Sequence, residues 1–132
     1  MIAFDTNVLL RLLLNDDADQ AGQAQDLLDR AVAASDRVLL PDIVLCELEW
    51  VLESVYGFPR ARIAATVRRL LDAEEFAFTN RAAVGRALER YASGKADFSD
   101  YLIGESATLA GATTTYTFDR VLSRSDGFSR PR

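Results

Sequence analysis

Short apolar runs alternate along this chain with longer stretches whose apolar residues recur at helical spacing. "MIAF" leads straight into Asp5, so residues 1–5 read as a short buried strand. A helix is expected from Asn7 to Leu14, and "NDDADQ" then breaks the pattern and caps a second helix that runs to about Ala34. "RVLLP" (37–41) predicts a second strand closed by Pro41. "DIVLCELEWVLESVY" predicts a helix with Asp42 as its N-cap, ended by Gly57 and Pro59. The pattern continues with a helix over 60–73, a third strand in "EFAF" (75–78) and a helix over 80–93 opened by Thr79 or Asn80. "SGKAD" is a loop, and "FSDYLIGESATLAG" is a helix stopped by Gly111. "ATTTYTF" is a β-branched, aromatic strand ending at Asp119, and the polar tail "SRSDGFSRPR" has room for a short strand near Phe128.

Strands of 4–7 residues alternating with helices argue for an α/β fold with a mostly parallel sheet. The length of 132 residues makes one domain, 1–132, the default expectation. No apolar run reaches the roughly 18 residues of a membrane span. The first residues lack a charged leader region and reach Asp5 too soon for a secretory signal, so a cytoplasmic location is expected.

Composition narrows the chemistry. The chain has no histidine, which removes Ser–His–Asp and Cys–His catalysis, paired-histidine ribonuclease chemistry and histidine-ligated zinc. Its single cysteine, Cys46, allows no internal disulfide and no thiolate metal site of its own. Hydrolysis must therefore rely on carboxylates, and carboxylates suit hard cations such as Mg²⁺ or Mn²⁺. The net charge of −5 is the reverse of a typical nucleic-acid-binding domain, unless bound cations neutralise some of the acids.

Several acids stand where that chemistry needs them. Ligands of open parallel sheets bind beyond the carboxyl ends of the strands. Asp5 and Asp119 each directly follow an apolar run, although either alone also suits a turn or a helix cap. On a helix, Glu47 has Ile43, Val44, Trp50 and Val51 at i±3 and i±4, so its carboxylate interrupts an apolar surface. Glu49 and Glu53 are expected on the other, solvated side. Asp97 and Asp100 stand three apart across a helix start, where both are also good capping residues. Four or five such carboxylates converging on one sheet end would repel strongly unless a cation sat among them.

"FDTNVLLRLL" (4–13), "LCELEWVLESVYG" (45–57), "ADFSDYLIGESATLAGA" (96–112) and "TFDR" (117–120) together resemble the PIN-domain family, and within it the VapC-type toxins of toxin–antitoxin pairs. The resemblance covers essentially the whole chain in order. It implies a three-layer α/β/α fold with a central, mostly parallel sheet of four or five strands. It implies a Mg²⁺- or Mn²⁺-dependent endoribonuclease using one or two ions. The implied catalytic and metal-binding acids are Asp5, Glu47, Asp100 and Asp119, supported by Asp97. Thr6 and Asn7 match the polar pair after the first acid, and Thr117 is placed to orient Asp5. The implied partners are an RNA substrate and an antitoxin, with a homodimer and a toxin–antitoxin hetero-oligomer as expected assemblies. Arg11, Lys95, Arg120 and Arg124 are candidate RNA contacts, with Arg60, Arg62, Arg68 and Arg69 as a second basic group. Leu9, Leu12, Leu13 and Trp50 are candidates for a partner groove, against a plain core role for the leucines.

Two alternatives stay open on the residues. One is a PIN-like scaffold without catalysis. The other is an α/β phosphatase with an aspartyl nucleophile, which wants a second aspartate two positions on, where this chain has Asn7.

Overall fold

The computed structural model describes residues 1–132. The chain divides into two compact units, Met1–Arg81 and Ala82–Arg132.

The first unit holds β1 (Ile2–Ala3), α1 (Thr6–Leu14), α2 (Ala18–Ala33), β2 (Val38–Leu40), α3 (Asp42–Ser54), α4 (Arg60–Asp72) and β3 (Phe76–Phe78). Its strands form one parallel sheet in the order β1-β2-β3. Parallel neighbours need long crossovers, and a pair of helices fills each one here. The registers Ile2↔Val38 and Val38↔Phe76 align the three carboxyl ends. Val38 and Leu40 point into the core with Phe4, Leu45, Leu48, Leu52, Ile63 and Val67. Asp17 caps α2 by accepting from the Gln20 N–H at 3.0 Å, as "NDDADQ" predicts. Asn15 ends α1 with a left-handed φ of 52°, a conformation asparagine tolerates well. Pro41, with its ring-fixed φ of −61°, takes the cap position of α3, and Asp42 is the first helical residue rather than the N-cap.

The second unit holds α5 (Arg81–Ser93, whose first residue closes the first unit), α6 (Phe98–Leu109), β4 (Thr115–Tyr116), a 3-10 turn (Leu122–Arg124) and β5 (Phe128–Ser129). Tyr91 on α5 meets Phe98 on α6 edge-to-face, with centroids 6.1 Å apart. Glu105 accepts from Arg86 at 3.0 Å and from Arg90 at 3.4 Å, tying the two helices together. The Phe128 ring occupies the space a Cβ would need at Gly104, so only glycine lets α6 accept that ring.

The class is α/β and all strand pairing is parallel, as expected. The five strands form two sheets, however, three in the first unit and two in the second. The pairing of β4 with β5 (Thr115↔Phe128) explains the split. The polar tail supplies β4's partner, so the late strand finds its neighbour within its own unit. No helix is long and apolar enough to cross a membrane.

Candidate metal centre

In the first unit, β1 and the buried Phe4 deliver Asp5 to the start of α1. Asp5 has extended backbone angles (φ −74°, ψ 163°) and is the N-cap of that helix. Its Oδ1 accepts from the Thr6 N–H at 2.7 Å. Thr6 is buried, and its hydroxyl donates to Glu47 Oε1 on α3 at 3.2 Å. One residue therefore bridges Asp5 and Glu47 through its two donors, and it orients both carboxylates from the same point. Asn7 is exposed beside them.

Glu47 differs from expectation in its surroundings. It is exposed, and its helical neighbours Ile43 (69% exposed) and Trp50 (66%) are exposed with it. Glu49, expected on the solvated side, is the buried glutamate at 3% exposure. The face of α3 that enters the core is Val44, Leu45, Leu48 and Leu52, and Glu49 lies at its margin. Glu53, one turn on, brings a carboxylate oxygen within 4.8 Å of one on Glu49. Asp42 also gains a role that capping patterns did not reveal. It follows β2 much as Asp5 follows β1, and its Oδ1 is buried without a hydrogen-bond partner. Burial raises its carboxyl pKa above the usual range.

The second unit gathers the other three acids. Asp97 is the N-cap of α6, and its N–H donates to Asp100 Oδ2 at 3.2 Å, the back-bond of a capping box. Asp100 is half-buried, and its pKa is pushed up mainly by that burial. The Asp97 N–H pulls the other way, while the negative charges of Asp97 and Asp119 push up again. Asp119 Oδ1 accepts from the Leu122 N–H at 2.8 Å and so starts the 3-10 turn. Thr117 Oγ1 accepts from the Asp119 N–H at 3.1 Å, so this hydroxyl, expected to orient Asp5, holds the backbone of the acid two residues on.

A family model described as "PIN domain" matches residues 2–127. The chain belongs to the PIN domain family. No curated protein matches it. PIN domains are in general metal-dependent nucleases, and the acids of both units fit that requirement on their chemistry. Their donors are carboxylate oxygens, which suit hard divalent cations. Asp100 also carries a burial and like-charge penalty that a cation would relieve.

The basic candidates divide. Arg11 is committed to Asp16 at 2.9 Å and to Gln20 at 2.7 Å, and Asp16 is held below the usual carboxyl range chiefly by that bond. Arg62 lies over the Phe58 ring at 3.7 Å. Lys95, Arg120 and Arg124 are exposed, and Arg120 and Arg124 line a recess with Arg130. Of the groove candidates, Leu9 is core, Leu12 and Leu13 are half-buried and Trp50 is exposed.

Proposed function

We propose that this PIN domain is a metal-dependent endoribonuclease and the toxin of a type II toxin–antitoxin pair, working in the cytoplasm as one functional domain across both units. The observation that carries the reading is the Thr6 bridge between Asp5 and Glu47. A buried threonine whose two donors both go to acidic side chains fixes both carboxylates.

Asp5, Glu47, Asp100 and Asp119 would hold one or two Mg²⁺ or Mn²⁺, with Asp97 in support. Such a cation lowers the pKa of a bound water and stabilises charge developing on the scissile phosphate. Thr6 keeps the lone pairs of Asp5 and Glu47 aimed by donating to both. Asp97 positions Asp100 through its backbone N–H, and Thr117 positions Asp119. Asn7, exposed next to Asp5, is available to the RNA. The exposed Ile43 and Trp50 flank Glu47 with apolar surface that suits an antitoxin segment or a second copy of the chain.

The test is incubation of the purified chain with total RNA and Mg²⁺ or Mn²⁺, with EDTA and Asp5→Asn controls and mapping of the cut ends. Water attack predicts 5′-phosphate and 3′-hydroxyl ends. Cyclic 2′,3′-phosphates, or cleavage that persists in EDTA, would refute the mechanism.

A further inference from the structure

The net charge of −5 conceals a local reversal. From Thr115 to Arg132 the chain carries four arginines against two aspartates. Arg120, Arg124 and Arg130 line a single recess of about 360 Å³ with Ser123. None of the three forms an ion pair with an acid. A second recess, lined by Tyr116, Phe128 and Arg132 among others, shares Ser123 and Arg130 with the first.

The placement follows from the turn itself. Asp119 opens it through the Leu122 N–H at 2.8 Å, and the Ser123 N–H returns to the Asp119 carbonyl at 2.9 Å. This winds Arg120, Ser123 and Arg124 to one side. Arg130 directly follows β5, which is anchored by Phe128 beneath Gly104 and by Arg90 donating to the Asp126 carbonyl at 2.6 Å. Tyr116 (65% exposed), which ends β4, and Phe118 (74%), two residues on, both present their rings to solvent, while the Thr117 hydroxyl accepts from the Asp119 N–H.

We propose that this recess is a phosphate cradle for single-stranded RNA: Arg120, Arg124 and Arg130 grip one or two backbone phosphates, and Tyr116 and Phe118 stack the adjacent bases. It rests on the nuclease reading above and deepens it. Guanidinium forks suit phosphate oxygens, and aromatic faces stack bases of any sequence. Because the turn that presents two of the arginines is capped by Asp119, the cradle is rigidly tied to one of the proposed metal-binding acids. An anchored phosphate would therefore fix the strand's polarity relative to the cut.

Binding is measured by fluorescence anisotropy with a fluorescein-labelled oligouridylate of about twelve nucleotides. The full chain carries Asp5→Asn so that the probe survives. Arg120→Ala/Arg124→Ala/Arg130→Ala should weaken binding at least about tenfold and flatten the slope of log K against log salt by about one. The same three changes to Lys should keep most of the salt slope, and Tyr116→Ala/Phe118→Ala should weaken binding about tenfold while leaving the slope intact. Unchanged affinity and slope in the alanine triple, with its circular dichroism matching the parent, would overturn the proposal. So would an oligoglutamate peptide that binds in place of the oligouridylate and is lost in the same variant. Cleavage is read separately with Asp5 restored. If the arginines bind the probe but the chain never cuts RNA, the nuclease reading fails and the cradle stands. If metal-dependent cutting and probe binding both survive in the alanine triple, the cradle alone fails.

Discussion

The two units of this molecule differ in how they hold their acids, and Glu47 marks the difference. In the first, Asp5 and Glu47 are exposed and come from different elements, and the buried Thr6 lies between them, its backbone N–H on Asp5 and its hydroxyl on Glu47. In the second, Asp97, Asp100 and Asp119 are fixed by backbone: each opens a helix or turn or accepts a main-chain N–H there. In the first arrangement Asp5 doubles as a helix cap while Glu47 is held by a side chain from another element. In the second every acid caps a helix or opens a turn, so Asp100 and Asp119 keep a structural role whether or not a metal is present. The price shows at Asp100, whose burial beside two other acids raises its pKa.

The two units should fail in different ways. Asp5→Asn should reduce metal-dependent cleavage by at least about 100-fold. It should leave the thermal midpoint unchanged, because asparagine caps a helix as well as aspartate does. A cleavage assay beside a melting curve reads both, and a large loss of stability would show that Asp5 carries structure after all. Gly104→Ala should do the reverse and destabilise the second unit by about 1–3 kcal/mol by driving a methyl group into Phe128. Hydrogen exchange should then rise over residues 82–132 before it rises over 1–81.

Thr6→Val keeps the shape but removes the hydroxyl that holds Glu47. Metal affinity should fall about tenfold by titration calorimetry, with Thr6→Ser restoring it. A variant as tight as the parent would mean the bridge positions nothing.

The smallest effect concerns pH. The folded pKa of Asp100 lies above that of an unfolded aspartate, about 3.9, so the folded state holds the proton more tightly. Stability from this group is complete below the unfolded value and is lost as pH rises through the folded one. Asp100→Asn should therefore flatten the fall in melting temperature across the mildly acidic range. Mg²⁺ should raise the melting temperature of the parent on the high-pH side. An unchanged profile in the variant would remove Asp100 as its source.

Much of this was legible in the residues. A strand running into an acid, a cap motif such as "NDDADQ" and a glycine or asparagine at a helix end are local signals, and α1, α2, α4 and α6 fall where they point. The capping relation of Asp97 and Asp100 was readable for the same reason. What local pattern does not carry is which side of a helix meets the core. Helical spacing groups Ile43, Glu47 and Trp50 on one face and Leu45, Leu48 and Leu52 on another. Both faces are apolar, so spacing sets Glu47 against apolar neighbours and Glu49 on the solvated side, whereas packing exposes Glu47 and buries Glu49. Sheet partnership is likewise non-local. Each strand could be read from its composition, but the pairing of β4 with β5 depends on where the tail folds back. The Thr6 bridge joins residues 41 apart, and no spacing rule reaches that far.

The proposed nuclease requires that Asp5 and Asp100 each take part in binding divalent cation. Titration calorimetry of Mg²⁺ or Mn²⁺ into the parent chain, Asp5→Asn and Asp100→Asn tests it with one variant from each unit. Saturable binding to the parent and a loss of at least about tenfold in each variant are the expected results. A parent that binds no divalent cation, or a variant that matches it, would rule this out.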